Sequence, residues 1–124
     1  MLATRPTLGR MLLDARAILN DVVPISGLVR YTDEDLIQAF NSALLEVRAK
    51  RPDAFLEMGM RIDVPQFVMP DDKNMLFPLD QIFYPLCVYY IVGKSELRED
   101  EAAQEGRAGA TLGKFTAGLL QVAS

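Results

Sequence analysis

The apolar positions of the chain follow a helical period over most of its length and abandon it in one stretch near the middle. From Thr7 to Val23, Leu8, Leu12, Ala15, Leu19 and Val22 recur at steps of three and four, with Asp14, Arg16 and Asp21 between them, which predicts an amphipathic helix. Pro24 ends it, and Val23-Pro24-Ile25-Ser26-Gly27 reads as a connecting loop. Thr32 then precedes Asp33-Glu34-Asp35, a cap followed by three acids at the positive end of a helix dipole. Tyr31 before the cap and Leu36 at the fourth helical position have the spacing of a hydrophobic staple. This second helix is predicted over Asp33 to Arg51. Leu36, Phe40, Ala43, Leu44 and Val47 form its apolar stripe, Arg48, Lys50 and Arg51 sit at its negative end, and Pro52 stops it.

From Gly59 to Pro78 the pattern changes. Met60, Ile62 and Val64 alternate with Arg61 and Asp63, and Pro65, Pro70 and Pro78 exclude a continuous helix. Phe67-Val68-Met69 and Met75-Leu76-Phe77 flank the turn-like Pro70-Asp71-Asp72-Lys73-Asn74, so the expectation is an extended arm or loose hairpin, with Pro65 and Pro70 suited to an edge. Met58, Met60, Met69 and Met75 with Phe67 and Phe77 suit two arrangements: an adaptable binding surface, or a loop folded over the domain's own core. A third helix is predicted from near Asp80 to about Leu97, burying Ile82, Leu86, Tyr89 and Val92, with Pro85 near its start. The acidic stretch Glu96 to Glu105 leads into a fourth, in which Ala108, Leu112, Phe115 and Leu119 repeat at four, three and four. Gly106, Gly109, Gly113 and Gly118 weaken it by about 1 kcal/mol each relative to Ala. Their presence is consistent with close backbone contact between helices or with glycines merely tolerated there. The fold class is thus mainly α: a small four-helix bundle with a long arm, about 59–78, between the second and third helices, in a single domain over residues 1–124.

Composition removes functions rather than adding them. There is no His, which takes away the usual general base, the commonest metal ligand and any Ser-His or Cys-His pair. No catalytic set, metal site or cofactor is expected. The single Cys, Cys87, lies in Pro-Leu-Cys-Val-Tyr and reads as a buried small hydrophobe. It permits no internal disulfide, in keeping with a reducing compartment. Asp71 and Asp72 read as a solvated turn. Thirteen basic against seventeen acidic side chains give a net charge of −4, which does not favour a phosphate backbone as the main partner. The cluster Arg48, Lys50, Arg51 is accounted for by the helix end, with contact to DNA as the alternative. Tyr84, Tyr89 and Tyr90 are expected in the core and its polar rim. No apolar run approaches the roughly 18–20 residues that span a bilayer, and no leader is visible at the N-terminus.

The order of short motifs carries more. Leu13-Asp14-Ala15-Arg16-Ala17-Ile18-Leu19-Asn20-Asp21 is followed by Arg30-Tyr31-Thr32-Asp33-Glu34-Asp35-Leu36, then Phe40-Asn41-Ser42-Ala43-Leu44 and Arg51-Pro52-Asp53-Ala54. Pro85-Leu86, Tyr89-Tyr90, Gly93-Lys94-Ser95, Glu99-Asp100-Glu101, Gly106-Arg107-Ala108 and Lys114-Phe115 continue the series. In this order and spacing, over nearly the whole chain, the sequence resembles the head-to-tail adaptor, or connector, proteins of tailed phages.

That resemblance implies a virion structural protein of the neck, assembled in the host cytoplasm. It would form a ring beneath the portal protein, commonly twelve-fold in the family, that extends the DNA channel and offers a platform for tail proteins. The expected partners are the portal, tail proteins and further copies of the chain, with packaged DNA near but not specifically bound. The arm, with Met60, Phe67, Met69, Met75 and Phe77 as anchors, is expected to reach a neighbouring subunit or tail protein. The end of the fourth helix, with Leu119, Leu120 and Val122, is expected to touch the portal. The chain stops at Ser124, so the long C-terminal extension of some relatives is not expected. Two other readings stand beside this one: a small non-viral helical protein-binding module that forms no ring, and a DNA-packaging accessory protein, which needs a basic recognition helix not found here.

Overall fold

The computed structural model describes residues 5–19, 31–58, 63–99 and 101–122. Val22, the loop at 23–27 and the alternation at Met60 to Ile62 lie outside them. Among the described residues the protein is helical, with no strand: α1 (Leu8–Leu19), α2 (Asp33–Lys50), α3 (Tyr84–Glu99) and α4 (Glu101–Gln121), plus 3-10 turns at Pro52–Met58 and Gln81–Phe83. The isolated bridge Thr7 to Leu76 is the described β pairing.

Each start and stop has a local cause. Thr7 Oγ1 accepts the Arg10 amide at 3.1 Å and opens α1. At α2, Thr32 Oγ1 accepts the Asp35 amide at 3.0 Å, and the Asp35 carboxylate accepts the Thr32 amide at 3.2 Å, so a reciprocal capping box starts the helix. Asp80 caps the 3-10 turn by accepting the Ile82 amide at 3.0 Å. The third helix therefore begins in two steps, and Pro85 falls in the first turn of α3, where its missing N–H costs nothing.

The core forms where α3 packs against α4, α2 and α1. The stripes predicted for α1 and α2 are buried: Leu8, Leu12, Ala15 and Leu19, then Leu36, Phe40, Ala43, Leu44 and Val47. Met11 and Ile37 join them. On α4, Phe115 and Leu119 are buried and Leu112 packs on the cluster. The face expected for the third helix needs correction. Val92 is buried as expected and Leu86 packs partly on the core, but Tyr89 is only partly buried and Ile82 is 53% exposed, and Phe83, Cys87, Val88, Tyr90 and Ile91 fill the rest of the interior. With α1, α2 and α4 all packed against α3, a single predicted stripe cannot describe its contacts. The glycines divide likewise. A Cβ on Gly109 or Gly113 would meet nothing within 4 Å, whereas one on Gly118 would lie 2.2 Å from Leu86 Cδ2. Close approach of α3 and α4 is thus secured at Gly118.

Candidate interaction surface

The described part of the arm, 63–78, lies against the helices and is held to them along its length. Asn41 of α2 grips Phe67 by both backbone groups: its amide donates to the Phe67 carbonyl at 2.9 Å, and its Oδ1 accepts the Phe67 amide at 2.9 Å. The Phe67 ring stacks on Phe40 at 6.0 Å, Phe40 meets Phe77 at 5.9 Å, and Phe77 meets Tyr84 edge-on at 5.3 Å. At the other side, the first turn of α1 has backbone N–H groups with no partner inside the helix. The arm supplies acceptors: Leu8 donates to the Met75 carbonyl at 2.8 Å and Gly9 to the Lys73 carbonyl at 2.9 Å. A Cβ at Gly9 would approach that Lys73 oxygen to 3.1 Å, so the close docking depends on glycine there. Phe77 returns a bond to the Pro6 carbonyl at 2.8 Å.

Between these anchors the chain turns at 70–74, where Asp72 accepts the Val68 amide at 2.8 Å through its carboxylate and donates its own amide to the Val68 carbonyl at 3.0 Å. The Met69-Pro70 bond is cis. The large apolar side chains that the arm turns outward are Val68, 56% exposed, Met75, 50%, and Leu76, 54%. Beside α1 the turn leaves a groove of about 380 Å³ lined by Arg10, Leu13, Arg16, Asp33, Met69 and Lys73, among others.

The far end of the body is held by one guanidinium. Arg51, just past α2, grips Asp53 through Nε at 3.0 Å and Nη2 at 2.8 Å, while Nη1 donates to the carbonyls of Leu119 at 2.5 Å and Val122 at 2.7 Å. Those carbonyls close the negative end of α4, so a cation there both caps and attracts. The hydrogen bond from Arg51 is the main reason the Asp53 carboxyl titrates below its usual range. Arg51 thus serves the interior of this corner, and Arg48 lies over the Phe55 ring at 6.0 Å.

Cys87, Tyr84 and Tyr90 have structural settings. Burial pushes the Cys87 thiol up, away from the thiolate. Burial also raises Tyr84, with a hydrogen bond from its hydroxyl to Asp14 adding to the effect, and it raises Tyr90, helped by the charge of Glu46. Tyr90 packs edge-on with Phe115 at 4.8 Å, and Lys114 Nζ stands 5.7 Å from the Tyr89 ring. Among the described residues no three Cys, Asp or Glu side chains gather as a metal-holding group, and no helix is long and apolar enough to cross a membrane.

The structure distributes the expected anchors unevenly. Met60 lies outside the described residues. Phe67 and Phe77 are interior, Met69 is partly buried against the core, and Met75 is half exposed. On α4, Leu119 is wholly buried, Val122 packs partly on the core, and Leu120 is 73% exposed. Of the two arrangements open for the Met- and Phe-rich stretch, Phe67, Met69 and Phe77 take that of a loop folded over the domain's own core, while Met75 stands half exposed. Val68 and Leu76 were not singled out in the sequence. The alternation of each flanking triplet was the available signal, because a segment with Phe67 and Phe77 inward turns neighbouring side chains outward. No family model, no curated protein and no solved structure matches the chain.

Proposed function

We propose that the chain is a structural adaptor that acts by binding other proteins, as a ring subunit of a phage head-to-tail connector, and that it is not an enzyme. The observation that carries the reading is the arm: a proline-broken segment fastened to the helices by Asn41, Leu8 and Gly9 that turns Val68, Met75 and Leu76 outward. Apolar side chains fixed on an anchored backbone lose little freedom on docking, a favourable basis for a protein contact. The order of motifs along the chain supplies the kind of contact: identical subunits side by side, with a portal on one side and tail proteins on the other. In this reading the virion neck is its place of work, Leu120 is the exposed apolar residue offered by the end of α4, and Phe67 and Phe77 shape the arm from within.

Replacing Val68, Met75 and Leu76 together by Ser tests the arm's part in this. The variant is expected to fold with the helical content of the parent and to lose ring formation or tail attachment in virion assembly. Assembly at the parent's level by the folded variant would remove the arm from the account.

A further inference from the structure

We propose that the arms of neighbouring copies of the chain pair through their backbones, Leu76 of one copy against Gln66 of the next. The inference rests on the reading of the protein as a ring subunit and names the contact that would build the ring.

The first edge follows from the bridge between Thr7 and Leu76. Its two bonds come from the flanking residues, Leu8 N–H to the Met75 carbonyl and Phe77 N–H to the Pro6 carbonyl. In an antiparallel ladder this is the pair whose own N–H and C=O groups point away from each other. Those of Leu76 therefore face outward, and no hydrogen bond among the described residues takes them up. The edge is short and firmly held. Pro78, which has no N–H, ends it, and the bonds from Met75 to Asp72 and from Gly9 to Lys73 fix the chain before it.

The second edge lies on the other limb of the arm. Phe67 turns both of its backbone groups to Asn41, and Val68 turns both of its own to Asp72. This is the alternation of an extended chain, in which successive residues direct N–H and C=O to opposite sides. Gln66 therefore points its groups away from Asn41, where again no described hydrogen bond uses them. Pro65 falls on the Asn41 side, so its missing N–H does not interrupt this edge. Gln66 is exposed, and Val68, next along the same face, is 56% exposed.

Within one copy the two limbs are fastened to different helices, one to Asn41 of α2 and the other to the start of α1, and no described bridge joins them. Each edge thus keeps a donor and an acceptor on a fixed backbone, the arrangement that strand addition uses. An antiparallel pair of Leu76 with Gln66 of the next copy exchanges both bonds. It also sets Val68 of that copy diagonally beside Leu76, so that two apolar side chains exposed in the single copy cover each other. The two edges differ, so the contact is heterologous, and each copy presents one edge to either neighbour, as a closed ring requires.

Leu76→Cys with Gln66→Cys in one chain tests it, after assembly on co-expressed portal protein and mild oxidation. The Cα atoms of such a pair stand about 5.5 Å apart, within disulfide range. A ladder of covalently joined copies is expected from the double variant and none from either single one, with the buried Cys87 unreacted. Leu76→Pro removes an N–H that the single copy does not use. It is expected to keep the parent's helical content and to weaken association at least about tenfold. Rings of the double variant without cross-links between copies, or rings of normal yield from the folded proline variant, would overturn this contact and leave the connector reading standing. A parent chain that forms no ring with portal present would overturn both.

Discussion

Asn41 and Phe67, 26 positions apart, form a closed pair: the side-chain amide of one bonds both the N–H and the C=O of the other at 2.9 Å. A side chain thus takes the place of a neighbouring strand, fixing an arm whose prolines limit sheet pairing. Asn41→Ala leaves both Phe67 groups without that partner and is expected to cost about 1–3 kcal/mol. Denaturant unfolding measures the loss, and hydrogen exchange at the Phe67 amide should accelerate with it. An unchanged midpoint and unchanged exchange would show that the aromatic stack alone holds the arm.

Arg51 and Asp53 give the stability a definite acid limb. The folded carboxyl titrates below its unfolded value, so its contribution is present above the unfolded pKa of about 4 and is lost as pH falls through the lower folded value. Arg51→Gln is expected to lower the thermal midpoint at pH 7 and to flatten its dependence on pH below about 5. Lys50→Ala, which breaks only the exposed pair with Glu46, should cost no more than about 0.5 kcal/mol. Equal effects of the two changes would contradict the assignment of Arg51 as the residue that joins α2 to the end of α4.

The glycines of α4 are expected to respond in opposite senses. Gly113→Ala adds a methyl group in open space and should stabilise by about 0.5–1 kcal/mol through helix propensity. Gly118→Ala pushes on Leu86 and should gain nothing or lose stability, since that side chain has to leave its place against the core. Thermal melts of the two single variants decide this, and a gain at Gly118 matching that at Gly113 would mean the helices are farther apart than described.

Cys87 is fully buried, and its thiol is held in the neutral form by that burial. Native protein should react slowly with a thiol reagent at pH 8 and rapidly in denaturant. Its raised pKa, with those of Tyr84 and Tyr90, also means stability that is complete below the unfolded values and declines above roughly pH 8.5–10 as these groups ionise on unfolding. Rapid native labelling would contradict the packing around α3.

What could be read from the sequence was what lies within a few residues. Thr32 with Asp35 and the stripes of α1 and α2 depend on spacings of three and four, and they lie as expected. Less legible were the contacts between distant positions. Asn41 in the middle of a helix carries no mark of the backbone it will grip, and Arg51, read as the end of its own helix, reaches 68 and 71 positions onward to cap another. The 3-10 helix after Pro52 gave no periodic signal because its seven residues are too few for one. Phe67 and Phe77 marked an apolar segment, but whether such rings face the core or a partner depends on Phe40 and Tyr84, which approach them only once the chain has folded.

The proposed role is that of a subunit that seats on a portal and closes into a ring there. Its most direct test is co-expression with the portal protein encoded by the same genome, with a tag on the portal alone, followed by electron microscopy of whatever is retained. The chain is expected to co-purify and to appear as a closed ring on one face of the portal, coaxial with its channel. A portal recovered without the chain, with both proteins folded and present in the lysate, would contradict it.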